Sequence, residues 1–272
     1  NACTYCIVHV ARGRARSIPA SQVIGEVGSI ANAGTREVVL VGIDLGAYDD
    51  NGLDLADLME ILLQRTGIGR LRISSIEPQS LKPSLITALA TSDGRICRHL
   101  HLCLQSGSTK VLDEMARNYT ADEFLDLIAE LRAQVPSIAL STDVIVGFPG
   151  ETDEDFAQTC RVIEQARFMR LHVFRYSKRA GTPAAARPDQ IPPQVMAERA
   201  KTLRELGAKL ALEDMHKRLG TVEQVIVERP GIGTSESYHK VLVPTDLAPG
   251  LLLPMELADI DEGQHAFSAR VL

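Results

Sequence analysis

Five short apolar segments rich in β-branched residues alternate with five helix-like ones, and no other feature of this chain constrains its fold as tightly. The strand-like segments are 37–41, 70–74, 99–104, 139–146 and 170–174. Between them, helical periodicity runs through 20–33, 53–64, 83–89, 121–134 and 152–165. Thr120 with Glu123 reads as a capping box, and Thr152 followed by Asp153, Glu154 and Asp155 suits a helix N-terminus. Connections of this length carry a helix between parallel strands. The chain has no Gly-x-Gly-x-x-Gly fingerprint, so a β/α barrel, complete or open, is favoured over a doubly wound sheet. A strand just before residue 1 would make six.

The pattern changes after Arg187-Pro188-Asp189-Gln190-Ile191-Pro192-Pro193. An amphipathic helix is predicted over 194–218, with Val195, Leu203, Leu206, Leu210 and Leu212 as apolar anchors, a basic polar face, and Gly220 as its stop. Beyond it, apolar residues recur with period two between Gly, Pro and Asp, the pattern of a small antiparallel barrel. The expected domains are a barrel over 1–190, a connecting helix over 191–218 and a small β-barrel over 219–272.

Composition excludes several classes. At 272 residues, 45% apolar and 24% charged, the chain suits one large α/β unit with an appendage. No apolar run spans a bilayer and no secretory signal is seen, so no membrane partner is expected and the location is read as cytoplasmic. A net charge of −6 argues against broad nucleic-acid affinity. From Lys217 onward five basic residues face eight acidic ones, poor for a self-sufficient RNA binder. Of the five cysteines, Cys97, Cys103 and Cys160 read as buried packing thiols.

The unusual residues fall just past the strand-like segments: Gly42 to Gly46, Ser75 to Pro78, Gln105 to Ser108, Gly147 to Glu151, and Tyr176-Ser177 with Gly181-Thr182-Pro183. Barrels of parallel strands place their sites at that end. Asp44, Glu77, Gln105, Ser106 and Asp143 carry groups able to bind the ribose, amine or carboxylate of a polar cofactor, although Gly, Pro and Ser also simply end strands. Cys3-Thr4-Tyr5-Cys6 is compatible with part of an iron–sulfur motif, half a zinc knuckle or a redox dithiol. Two further readings stand at this point. One is a zinc-dependent barrel using Cys3 and Cys6 with His99 or His101, and the other a non-catalytic RNA-binding module.

Together, Cys3-Thr4-Tyr5-Cys6-Ile7-Val8, Ala11-Arg12-Gly13, His101 to Ser108, Thr142 to Thr152 and Tyr176-Ser177 through Gly181 to Ala185 resemble the hallmark blocks of the radical S-adenosylmethionine methylthiotransferases, the family of MiaB, RimO and MtaB. The likeness runs along the whole chain, whose end resembles a TRAM domain, an RNA-binding barrel. Gly42 to Tyr48, Ser74 to Pro78 and His172 to Phe174 look most like the MtaB branch.

The resemblance implies an α/β fold: an open (β/α) radical-SAM barrel followed by a small antiparallel, TRAM-like β-barrel. It implies a transferase that inserts a methylthio group at C2 of N6-threonylcarbamoyladenosine beside the tRNA anticodon. Isopentenyladenosine tRNA, or an aspartate of a ribosomal protein, is the alternative substrate. Cys3 and Cys6 would be ligands of a [4Fe–4S] cluster. Tyr5, Gly42, Asp44, Glu77, Gln105, Ser106 and Asp143 would bind S-adenosylmethionine, and Arg12, Arg14, Arg16 and Arg175 the substrate. The implied partners are tRNA and an electron donor such as a flavodoxin, with the enzyme a monomer. His9-Val10 stands where the family has Pro-Tyr, and Asp44 where it has Asn or His. The family's first cluster cysteine and the N-terminal domain holding its second cluster are absent, so this chain by itself is expected to be inactive.

Overall fold

A computed structural model describes residues 3–13 and 15–272, without the side chains of His9 and Val10. The described strands are β1 (Glu37–Leu40), β2 (Arg70–Ile73), β3 (Ser75–Ile76), β4 (His99–Leu102), β5 (Ala139–Val146), β6 (Arg170–Arg175), β7 (Val222–Arg229), β8 (Ile232–Ser235), β9 (Lys240–Leu242), β10 (Leu252–Asp261) and β11 (Ala266–Val271). The helices are α1 (Val8–Arg12), α2 (Ala20–Asn32), α3 (Leu55–Arg65), α4 (Pro83–Thr91), α5 (Thr109–Glu114), α6 (Ala121–Gln134), α7 (Asp153–Ala166), α8 (Pro183–Ala186) and α9 (Pro193–Arg218). No described helix is long and apolar enough to cross a membrane. The residues fall into two compact units.

The first unit comprises the segment up to Arg16, Leu102–Leu131 and Leu140–Ala211. Its centre is β5, six of whose eight residues are buried, as suits a parallel strand covered on both faces. On one side β5 pairs in parallel with β6, Asp143 standing opposite His172. On the other, Gln105 bridges Val144 in parallel. Both predicted caps form: Thr120 with Glu123, and the reciprocal Thr152–Asp155 box that starts α7. The strand predicted over 99–104 stops at Leu102. Just beyond it Gln105 takes φ +64°, a left-handed conformation that ends an extended run. Sequence reading passed over α5, a single short turn whose N-cap Ser108 accepts from the Val111 N–H.

The second unit comprises Ser17–His101, Arg132–Ala139 and Leu212–Leu272. Here β1 and β2 pair in parallel from Glu37↔Arg70 to Leu40↔Ile73. The segment predicted as one strand over 70–74 is two: at Ser74 the chain leaves β1, and β3 begins a different sheet beside β4. β2 also buries charge within a segment read from the sequence as an apolar strand. Arg70 and Arg72 are 0% and 3% exposed. Both guanidiniums grip Glu37, and their remaining N–H groups donate to carbonyls of Gln224, Ser235 and Glu236. The barrel backbone thereby supplies partners that water would otherwise provide.

β7 to β11 close into a five-stranded barrel in the order β10-β11-β9-β8-β7. Val225, Val227, Val241, Met255, Leu257 and Phe267 form its buried core, and all but Phe267 lie in the segments whose period-two pattern is read from the sequence. The expectation of an antiparallel barrel needs one correction: β11 pairs with β9 in parallel. An odd ring of strands cannot alternate direction all the way round, so one pair must run parallel.

Within the same unit, the end of α9 is tied to the barrel by charge. Arg218 bonds Asp214 at 2.7 Å and Glu223 at 3.1 Å, and His239 Nε2 lies 2.9 Å from Asp214 Oδ2. Burial alone would raise the Asp214 pKa, but the His239 hydrogen bond and Arg218 outweigh it and hold the carboxyl at about 2. A depressed carboxyl stabilises the fold above its unfolded pKa, and that stability is lost as pH falls through the folded value. The expected result is a loss of roughly 2 kcal/mol between pH 4 and pH 2. Asp214→Asn should flatten this acid limb in urea titrations compared across pH.

Candidate metal and cofactor site

In the first unit, Cys3-Thr4-Tyr5-Cys6 forms a tight turn closed by the Cys6 N–H to Cys3 C=O bond at 3.1 Å. Thr4 anchors it. Its N–H donates to Met115 C=O at 3.1 Å, its hydroxyl to Glu114 C=O at 2.8 Å, and its carbonyl accepts from Ala184 N–H at 3.0 Å. Tyr5 packs edge-on to Phe148 against a core of Val111, Met115, Phe148, Tyr176 and Ala184. Each thiol receives an N–H: Arg117 Nη1 points at Cys3 Sγ and the Val8 amide at Cys6 Sγ, both at 3.4 Å. Such donors suit anionic, metal-bound sulfur. The Tyr176 hydroxyl is buried and has no hydrogen-bond partner among the described residues, as befits a group awaiting a ligand. The donor chemistry of the turn therefore fits an iron–sulfur cluster.

Around this turn the strand ends supply loops with narrow steric tolerance. Gly147 has φ +74°, and a Cβ there would lie 2.2 Å from Met196 Cγ. The loop from Gly147 to Glu151 folds over its own carboxylate: Glu151 Oε2 accepts from the N–H of Gly147 at 2.8 Å and of Phe148 at 3.3 Å. Arg199 of α9 bonds the other oxygen at 2.8 Å and Asp153 at 2.6 Å. Burial raises the Glu151 pKa despite Arg199 and the backbone donors. Gln105, 8% exposed, joins β5 by backbone bonds to Asp143 and Ile145. Its neighbour Ser106 is engaged internally, with Thr159 and the Ser108 N–H.

Asp143 is half-buried beside β6, which exposes Arg170, His172 and Phe174 along one face. Arg12, Arg16 and Arg175 are exposed, whereas Arg14 lies outside the described residues. Gly42, Asp44 and Glu77 belong to the second unit. There Asp44 Oδ1 and Ser74 Oγ, just past β1 and β2, are buried without a partner among the described residues. In that unit too, the His99 ring stacks on Tyr238 at 4.8 Å, and Cys97 is a packing thiol that burial pushes up to about 12. Cys160, expected to be buried, is only half so. Sequence reading missed Arg117 and Arg199, both buried arginines that lie far along the chain from their partners.

Residues 1–163 match the family model of the Radical SAM superfamily. The chain belongs to that superfamily. Radical SAM proteins of known structure share its fold. Coproporphyrinogen III oxidase (HemN) from Escherichia coli aligns with a TM-score of 0.58 at 17% identity, covering 77% of this chain and 50% of the other. The methyltransferase TsrM from Kitasatospora setae gives 0.56 at 17% identity, covering 67% and 36%. In sequence, the chain is 41% identical over 266 residues to the threonylcarbamoyladenosine tRNA methylthiotransferase MtaB of Chlamydia pneumoniae, covering 96% of this chain and 63% of that protein. It is 39% identical over 244 residues to the tRNA-2-methylthio-N(6)-dimethylallyladenosine synthase of Acetivibrio thermocellus, covering 89% and 50%. The chain thus spans between half and two thirds of these relatives.

Superfamily membership sets aside the zinc-barrel reading, and a [4Fe–4S] cluster and S-adenosylmethionine are the cofactors it implies. Within this radical SAM barrel, the Glu151–Arg199 pair should be the most sensitive structural contact near the turn. Arg199→Leu leaves a buried carboxylate without its cation, a change that costs about 3–5 kcal/mol. Glu151→Gln keeps an acceptor for the two amides and should cost far less. Denaturant midpoints of the two variants test this, and equal losses would contradict it.

Proposed function

We propose that this chain is the catalytic part of a tRNA methylthiotransferase acting on N6-threonylcarbamoyladenosine beside the anticodon. The observation that carries the reading is the anchored Cys3–Cys6 turn with an N–H aimed at each sulfur. The 41% identity to a protein named for that substrate supports it. When bound, the cluster and S-adenosylmethionine supply one-electron cleavage of a sulfonium, chemistry that belongs to the cofactors.

The protein's own contribution is to bind and orient. Cys3 and Cys6 hold the cluster with a further thiolate, and Tyr5 backs the turn against Phe148. Gln105, bridged to β5, and Asp143, on β5, offer polar groups to the amino acid and ribose of S-adenosylmethionine. Ser106 supports that loop from behind. In the second unit, Gly42, Asp44 and Glu77 are the further cofactor residues of this reading, Asp44 with a buried oxygen that has no donor among the described residues. Residues 1–190 form the catalytic barrel, 191–218 the connecting helix and 219–272 a barrel that holds RNA. A flavodoxin-like donor supplies electrons, and the enzyme works as a cytoplasmic monomer.

Substrate choice rests on charge. The threonylcarbamoyl group carries a carboxylate that the dimethylallyl group lacks. Arg12, Arg16 and Arg175 are exposed and make no ion pair among the described residues, so each is available to a planar, bidentate anion. In a strain lacking this gene, mass spectrometry of tRNA nucleosides should show threonylcarbamoyladenosine without its methylthio group and the dimethylallyl derivative unchanged. Loss from the dimethylallyl nucleoside alone would give the function to the other branch.

A further inference from the structure

Arg117 occupies a position that packing alone does not explain. It follows α5, is 7% exposed, and aims Nη1 at Cys3 Sγ from 3.4 Å. Its Nε donates to the Tyr119 hydroxyl at 3.1 Å and its Nη2 to Cys103 C=O at 3.3 Å. Tyr119 in turn donates to Cys103 C=O at 2.7 Å, and its ring lies 5.4 Å from the guanidinium carbon. The guanidinium is therefore held on several sides, and Nη1 directs an N–H at sulfur. Cys3 is itself 7% exposed, so this contact is made with little competition from water.

A cluster thiolate is an anion and accepts this guanidinium N–H more strongly than a neutral thiol does. We propose that Arg117 is a positioning residue that holds Cys3 as a cluster ligand and sets the cluster's reduction potential. This rests on the reading of Cys3 and Cys6 as cluster ligands. Reduction adds negative charge to the cluster and its sulfurs. An N–H bond and a fixed positive charge at one sulfur stabilise the reduced form more than the oxidised one, which makes reduction easier. Fixing the guanidinium through Tyr119 and Cys103 keeps this effect constant while other ligands come and go.

The test uses the complete protein with its cluster reconstituted anaerobically, and reads the midpoint potential by redox titration monitored with electron paramagnetic resonance. Arg117→Met should make reduction about tenfold less favourable, a negative shift of about 59 mV for a one-electron couple. Arg117→Lys should recover part of the shift, and Tyr119→Phe, which frees the guanidinium, should reproduce part of it at unchanged iron content. A purely structural arginine would alter stability or iron content and leave the potential of the loaded fraction in place, and that result overturns the proposal. So does failure of all three variants to hold any cluster, which would make Arg117 an assembly residue only. A wild-type protein that takes up no cluster would instead sink the underlying reading of the two cysteines.

Discussion

A turn of four residues with no regular structure of its own carries Cys3 and Cys6, and the cluster reading of this chain depends on its being held still. Backbone hydrogen bonds do that work. Thr4 is fixed to Met115, Glu114 and Ala184, residues that lie far away in sequence at the ends of two short helices. Those helices follow the ends of β4 at Leu102 and of β6 at Arg175. Barrel topology thus reaches the cysteines through the loops that follow the strands.

Buried charge serves the same end in both units. Near the turn, Glu151 gathers two amides of its own loop and is answered by Arg199 from α9. In the second unit, Glu37 is answered by Arg70 and Arg72, whose other donors go to carbonyls of the small barrel. Burying ions is expensive, and a pair is rarely worth more than the apolar residues it replaces. What such contacts give is direction: a carboxylate that must collect fixed N–H groups tolerates few arrangements of the loop around it.

Much of this was legible in the sequence because the physics is local. β5 and α6 fall on their predicted residues, and the α7 capping box forms where Thr152 and Asp155 announced it. The inward-facing valines of the small barrel follow from period two. What was not legible involves partners distant in sequence. Nothing local marks Arg70 and Arg72 of β2 as buried, because the carbonyls that receive them belong to residues 224 to 236. Arg117 sits in a run of ordinary polar residues, and nothing nearby marks it as facing Cys3 across 114 positions. The parallel closure of the small barrel follows from its odd number of strands, which period two alone does not count. Among the candidate site residues, the two cysteines were found by type and spacing, whereas the inward engagement of Ser106 appeared only in three dimensions.

The central claim is that Cys3 and Cys6 are ligands of a cluster with an iron site open to S-adenosylmethionine. Electron paramagnetic resonance of the dithionite-reduced, reconstituted complete protein tests it most directly, recorded with and without S-adenosylmethionine. A [4Fe–4S] signal that changes on adding S-adenosylmethionine, and that disappears in a Cys3→Ala, Cys6→Ala double variant, is the expected result. A signal indifferent to S-adenosylmethionine, or one that survives loss of both cysteines, would contradict the account.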